Sequence, residues 1–125
     1  MQSKTVKDDA THILKQVVGA MQDKKAKSIV SIDLRKVTDS VSQFFVVCHA
    51  PSTTQVDAIY DNVLEQVQMN CDLKPFHREG YENSEWILID YFDVVVHVFR
   101  EDIRTFYKLE ELWADGVLKE YQSNE

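Results

Sequence analysis

Three aspartates at the ends of predicted strands are the residues in this chain best placed to do chemistry. Asp33 closes a short β-branched segment, and Asp90 and Asp93 flank the tip of a predicted hairpin. Carboxylates gathered from strand ends can hold a metal ion that also binds a nucleotide phosphate. These positions favour one enzyme hypothesis, a nucleotide- or metal-dependent transferase that uses Asp33, Asp90 and Asp93.

The sequence lacks the other parts that such an enzyme needs. Its three glycines, Gly19, Gly80 and Gly116, form no glycine-rich phosphate loop. The four histidines have neither HxxxH nor HExxH spacing, and no serine or cysteine carries a nucleophile signature. His97 lies within an apolar strand, which is typical of a hydrogen-bonded core histidine. We therefore predict that the protein is not an enzyme and uses no metal or cofactor.

Two aromatic residues at the predicted hairpin tip suggest a binding surface instead. Tyr91 and Phe92 stand between two carboxylates, where full burial of both rings is difficult. Exposed aromatic side chains flanked by acids suit a protein interface. The alternative, that both rings fold back onto the hairpin, stays open at this point.

The last predicted helical region also carries residues that are typical of protein interfaces. Arg104, Tyr107 and Trp113 belong to the residue types that most often anchor protein interfaces, and Glu110 lies among them. Arg104 could equally be an internal partner of one of the two hairpin aspartates.

Hydrophobic periodicity places these residues on an alternation of helices and strands. The predicted helices cover about 5–24, 54–70 and a final region from 103 to 113. The predicted strands cover 28–34, 44–49, 76–79, 86–89 and 94–99. The last two strands predict a hairpin, whereas the path from 44 to 76 crosses through a helix, so the sheet should be mixed. We predict an α/β (α+β) fold with helices flanking this sheet, in one domain over 1–125 whose ordered core covers about 5–118.

Composition limits the partners. The chain has 125 residues, 44% of them hydrophobic, and a net charge of −7, so direct recognition of nucleic acid is disfavoured and a basic protein partner is favoured. No apolar run approaches the ~20 residues that span a bilayer, and the N-terminus lacks the apolar segment of a signal peptide, so we predict a cytoplasmic location. Cys48 and Cys71 lack paired spacing, which predicts reduced thiols.

Two segments resemble a known family, the ribosomal silencing factors, also called RsfS or Iojap. They are SIVSIDLRKVTDSVSQFFVVCHAPSTTQVDAIYDNV (28–63) and WILIDYFDVVVHVFREDIRTFYKLEELW (86–113). The resemblance implies a nucleotidyltransferase-like fold without that activity. It also implies binding to large-subunit ribosomal protein L-fourteen, which blocks association of the ribosomal subunits and represses translation during nutrient limitation or stationary phase. Homodimers are a further implication. An adaptor with a non-ribosomal partner is a third hypothesis.

The resemblance assigns a set of partner-binding residues: Trp86, Asp90, Tyr91, Asp93, His97, Arg104, Tyr107, Glu110 and Trp113. The chain departs from the family pattern at a few places. Phe92 and Ala50 stand where glycine is usual, and Gln43 with Phe44 replaces Asp-Tyr. Phe92 puts the geometry of the hairpin turn in question, because a bulky residue must fit a turn that glycine normally makes.

Overall fold

A computed structural model describes residues 6–37, 40–107 and 116–124 of the protein. In chain order its elements are α1 (Val6–Asp23), β1 (Lys27–Asp33), β2 (Phe44–Ala50), α2 (Thr53–Cys71), β3 (His77–Glu79), β4 (Trp86–Asp90), β5 (Val94–Arg100), α3 (Glu101–Tyr107) and β6 (Val117–Tyr121). No helix in these ranges is long and apolar enough to cross a membrane.

The bounds of the second helix follow from local capping. Ser52 is extended and its hydroxyl accepts a hydrogen bond from the Gln55 backbone N–H at 3.2 Å, which satisfies one of the first free donors of α2. The helix ends at Asp72, which adopts the left-handed conformation and donates its N–H to the Gln68 carbonyl oxygen. Both ends therefore fall within one or two residues of the prediction.

The strands form one mixed sheet in the order β3-β4-β5-β2-β1-β6, which confirms the predicted fold class. The hairpin β4–β5 is antiparallel and aligns Trp86 with Phe99 and Asp90 with Val95. Strands β2 and β5 are parallel and form the centre of the sheet, with Phe44 beside Val94.

Helices α1 and α2 cover one side of the sheet, and the main core lies beneath them. Its sheet residues are aliphatic and fully buried, as Ile87, Ile89, Val96 and Val98 illustrate. Smaller apolar clusters lie on the other side, one of them formed by Val47 and Phe99 with α3 against them. Helices α1 and α2 thus leave the second side of the sheet uncovered, and α3 covers only a part of it.

The sheet contains one strand that the sequence pattern did not predict. This strand, β6, pairs with β1 in antiparallel register and aligns Val117 with Asp33, so β1 is an inner strand. Strand β6 runs from Val117 to Tyr121. Of the predicted final helix, residues 108–113 lie outside the described part of the chain.

Candidate functional site

The side of the sheet opposite α1 and α2 carries three aromatic side chains and a histidine close together. We call it the aromatic face and define it by one set of residues: Phe45 and Val47 of β2, Trp86, Leu88 and Asp90 of β4, and Val95, His97 and Phe99 of β5. They share this side because residues aligned across paired strands point the same way. Three of the residues that sequence reasoning proposed, Trp86, Asp90 and His97, thus come together on one surface.

A stack of rings gives the aromatic face its stiffness. The Trp86 ring lies 4.9 Å from that of Phe99, and His97 lies 5.2 Å from Phe45, between ring centroids. Trp86 and Phe45 are half-buried, whereas His97 and Phe99 lie almost wholly inside. A partner could therefore reach the edge of this stack but not its centre.

Trp86 fixes the state of His97. The indole Nε1 donates a hydrogen bond to His97 Nδ1 at 3.1 Å, so the ring proton resides on Nε2. That Nε2 is buried and has no hydrogen-bond partner within the described residues. Burial lowers the pKa of His97 to about 4, so the ring is neutral at pH 7. His97 is therefore a hydrogen-bonded core residue, as the pattern predicted, and its hydrogen bond holds the indole of Trp86 in place.

The residues of the hairpin tip, Asp90–Asp93, point in different directions. Tyr91 is only 3% exposed and packs into the core under the helices, where burial raises the pKa of its phenol. Phe92 is 51% exposed. The prediction of two exposed rings is therefore wrong for Tyr91, because the turn directs that side chain inward.

The tip is held to its neighbours through the backbone. The Asp93 carbonyl oxygen accepts hydrogen bonds from the N–H groups of Gln43 and Phe44, at 2.8 and 3.0 Å. The Asp90 carboxylate accepts one from the Phe92 N–H at 2.7 Å. These bonds make the tip part of the sheet end rather than a loose loop.

Arg104 lies far from the tip. Its Nη1 donates to the Ser28 carbonyl oxygen at 2.7 Å and to His49 Nδ1 at 3.1 Å, and the residue is 8% exposed. These partners stand at the end of the sheet opposite the tip, so the suggested pairing of Arg104 with Asp90 or Asp93 is wrong. Its role is to anchor α3 to β1 and β2.

The three aspartates proposed for metal binding share one end of the sheet but do not converge. Strands β1 and β4 are three spacings apart in the sheet, so Asp33 and Asp90 are separated by roughly 14 Å. Asp33 instead pairs with Arg35 at 2.6 Å, and a hydrogen bond from that guanidinium lowers the pKa of Asp33. No group of three metal-ligating side chains occurs in the described ranges, so the transferase hypothesis loses its geometric basis.

Three of the predicted site residues lie at or beyond the end of α3. Tyr107 is the last residue of α3, and Glu110 and Trp113 lie outside the described residues.

Comparison with known proteins identifies the family. Residues 7–125 match the model of the family described as RsfS, ribosomal silencing factor during starvation. The chain belongs to the ribosomal silencing factor family. The ribosomal silencing factor of Halalkalibacterium halodurans is 39% identical, over 88% of this chain and 92% of that protein. The Bacillus subtilis factor is also 39% identical, over 85% and 88%.

A crystal structure supports the same fold for ribosomal silencing factors. A protein of Chromobacterium violaceum superposes on this chain with a TM-score of 0.79 and 34% identity, over 84% of this chain and 86% of that one. The sheet and helices of this chain therefore form a scaffold that is also found in a similar protein.

The two positions at which the resemblance led us to expect glycine, Ala50 and Phe92, differ in backbone conformation. Phe92 has a φ of +74°, in the left-handed region that L side chains rarely adopt. Ala50 is buried at the end of β2 and is not among the described residues with positive φ. The replacement at Ala50 thus needs no unusual backbone, whereas the one at Phe92 keeps a glycine-like turn with a bulky side chain.

Sequence reasoning missed several residues of the surface. Leu88 is half-buried between Trp86 and Asp90 on β4, and Glu79 of β3 lies directly opposite Leu88. Alternation along β4 would have placed Leu88 beside the two predicted residues. Phe76, which is 74% exposed, precedes β3, and no local pattern in the sequence connects it to Phe92.

Proposed function

We propose that the protein binds the large ribosomal subunit through ribosomal protein L-fourteen and prevents the small subunit from joining. Translation would then fall under nutrient limitation or in stationary phase, and the protein would act in the cytoplasm, where ribosomes are. The observation that carries the proposal is the aromatic face of a chain that belongs to the ribosomal silencing factors.

The strand β4 offers a stiff docking surface. It is hydrogen-bonded to β3 on one side and β5 on the other, and it presents Trp86, Leu88 and Asp90 half-buried in a row. Such side chains lose little freedom when a partner covers them, so more of the contact energy is available for affinity.

Charge supports a basic partner. The net charge of −7 favours association with a basic ribosomal protein and opposes contact with RNA phosphates. Asp90 belongs to the aromatic face, and Glu79 of β3, which is aligned with Leu88, adds a second carboxylate beside it. Charge would orient the encounter, while burial of Trp86 and Leu88 would supply more of the affinity.

The proposed mechanism is steric and includes no chemical step. A domain bound where the subunits meet excludes the small subunit by its volume. The protein would therefore act stoichiometrically rather than catalytically. We also propose a homodimer, because the apolar surfaces at the end of the sheet can pair with those of a second copy. Equilibrium sedimentation that finds only monomer at high micromolar concentration would remove this part of the proposal.

The test is sedimentation of mixed ribosomal subunits with the wild-type protein and with two matched variants. Leu88→Arg places a cation in the middle of the proposed docking surface and should lower affinity by at least about tenfold, with subunit joining restored. Leu118→Arg is the control, since Leu118 is an exposed leucine on β6 at the far edge of the same sheet. It should bind and inhibit like the wild type.

The possible outcomes test the proposed function and the proposed docking surface separately. If the wild-type protein leaves subunit joining unchanged, the proposed function is wrong. If the wild type inhibits but Leu118→Arg loses activity while Leu88→Arg keeps it, the function stands and docking occurs elsewhere on the molecule. Crosslinking from β4 to a large-subunit protein other than L-fourteen would replace the partner but not the mechanism.

A further inference from the structure

An exposed pair of aromatic rings lies at the end of the sheet, next to the proposed docking surface. Phe76 and Phe92 are in edge-to-face contact, with ring centroids 5.8 Å apart, and both are largely exposed. Met69, 67% exposed at the end of α2, lines the same groove. We call these three residues the tip patch. Large apolar side chains clustered on a surface commonly mark a binding site.

The backbone of Phe92 adopts a strained conformation. Its φ is +74°, and the Asp93 N–H donates to the Tyr91 carbonyl oxygen at 2.9 Å, which closes a tight three-residue turn around it. Glycine adopts this conformation without strain, and Phe92 gains little burial in return. Strain that folding does not require points to a use of the exposed ring in binding.

The groove beside the tip patch is acidic. It has a volume of about 530 Å³ and is lined by the hairpin tip, the middle of α1 and the end of α2. Asp72 and Asp93 are among its lining residues, and so is His12, whose Nε2 lies 3.1 Å from the Asn70 carbonyl oxygen. The groove thus combines aromatic rings with negative charge.

We infer that the tip patch binds an arginine-bearing segment of the same large-subunit protein that docks on the aromatic face. A guanidinium group stacks on aromatic rings and also pairs with carboxylates, so it fits both features of the groove. RNA phosphates would be repelled by Asp72 and Asp93. Asp90 connects the two surfaces, since it lies on the aromatic face and its carboxylate holds the Phe92 N–H. This inference rests on the proposed function.

The test compares Phe92→Gly with the wild type in binding to isolated large subunits. Glycine relieves the left-handed backbone, so the melting temperature should stay the same or rise while affinity falls about tenfold. Val41→Ser, at a residue that is exposed but outside the groove, is the control and should bind normally. Asp93→Asn should weaken binding and reduce its dependence on salt.

Each result bears on the inference in a defined way. Binding of Phe92→Gly within twofold of the wild type, with Leu88→Arg still defective, would overturn the inference and leave the proposed function intact. A change from dimer to monomer in Phe92→Gly with unchanged subunit binding would make the tip patch a self-association surface and also overturn it. If the wild type does not bind large subunits, both ideas fail together.

Discussion

The two sides of the sheet are built from the same strands but carry different kinds of side chain. Under α1 and α2, the hairpin contributes aliphatic residues such as Ile89 and Val96, which are fully buried. On the aromatic face it contributes rings, a neutral histidine and half-buried residues such as Leu88. Because successive residues of a strand alternate between the sides, stability and recognition can change independently at neighbouring positions.

The largest effect expected from this comparison is on stability. Ile89→Ala removes three carbon atoms from the main core and should lower the free energy of unfolding by about 2–5 kcal/mol. Leu88→Ala, one residue away on the aromatic face, should cost less, about 1 kcal/mol, because the side chain is only half-buried. Urea unfolding of both variants measures the contrast. Equal losses would mean that both sides contribute alike to the core.

The next effect is the response of the aromatic face to acid. The pKa of His97 is lowered to about 4 in the folded protein, whereas in the unfolded chain the imidazole has its usual pKa of 6.5. Between these two pH values the unfolded chain binds a proton that the folded protein does not. Stability should therefore fall as the pH drops from 6.5 toward 4, by about 3 kcal/mol from this residue, and stay full above 6.5. The free energy of unfolding of His97→Gln should fall less between pH 6.5 and 4 than that of the wild type. An identical pH profile would remove His97 as its source.

A smaller effect concerns the bond between Trp86 and His97. Trp86→Phe keeps an aromatic ring but removes the donor to His97 Nδ1, leaving a buried acceptor unsatisfied. The cost should be about 1–3 kcal/mol, with a visible change in hydrogen exchange along β4 and β5. Phe45→Leu offers a control that alters a neighbouring ring without touching this bond. An unchanged free energy of unfolding in Trp86→Phe would show that this hydrogen bond does not stabilise the fold.

The smallest effect is expected at Asp33, one of the three aspartates that the sequence suggested for metal binding. The Asp33 and Arg35 pair is partly exposed, so Asp33→Asn should cost less than about 1 kcal/mol at neutral pH. Because Arg35 lowers the pKa of Asp33, this contribution disappears in acid as the carboxylate is protonated. Large-subunit binding should not change. Loss of binding or activity in this variant would revive a role for Asp33 beyond the fold.

Much of the fold could be predicted because its signals are local. Apolar residues at helical spacing located α1 and α2, and the turn at Asp90–Asp93 between two apolar runs located the hairpin. Strand β6 gave no such signal, because VLKEY is mostly exposed and becomes a strand through its pairing with β1. A strand that depends on a distant partner leaves little trace in its own sequence.

The candidate site was harder to predict than the fold. Alternation could place Trp86 and His97 on one side of the sheet, and the structure places them there. It could not decide the direction of Tyr91, which depends on the exact turn, or the partners of Arg104, which come from β1 and β2. Side-chain direction at a turn and contacts between distant segments arise only when the chain is assembled.

The parallel seam between β2 and β5 affects how quickly the protein can fold. The hairpin β4–β5 and the pair β1–β2 each join nearby segments, whereas the seam aligns Phe44 with Val94, about fifty residues later in the chain. Closing such a long loop costs entropy before the contacts repay it. The hairpin β4–β5 and the pair β1–β2 can therefore begin to form alone, and closure of the seam should follow them. Until then the hairpin lacks the neighbour that fixes the position of its tip, so a newly made chain should acquire its docking surface late.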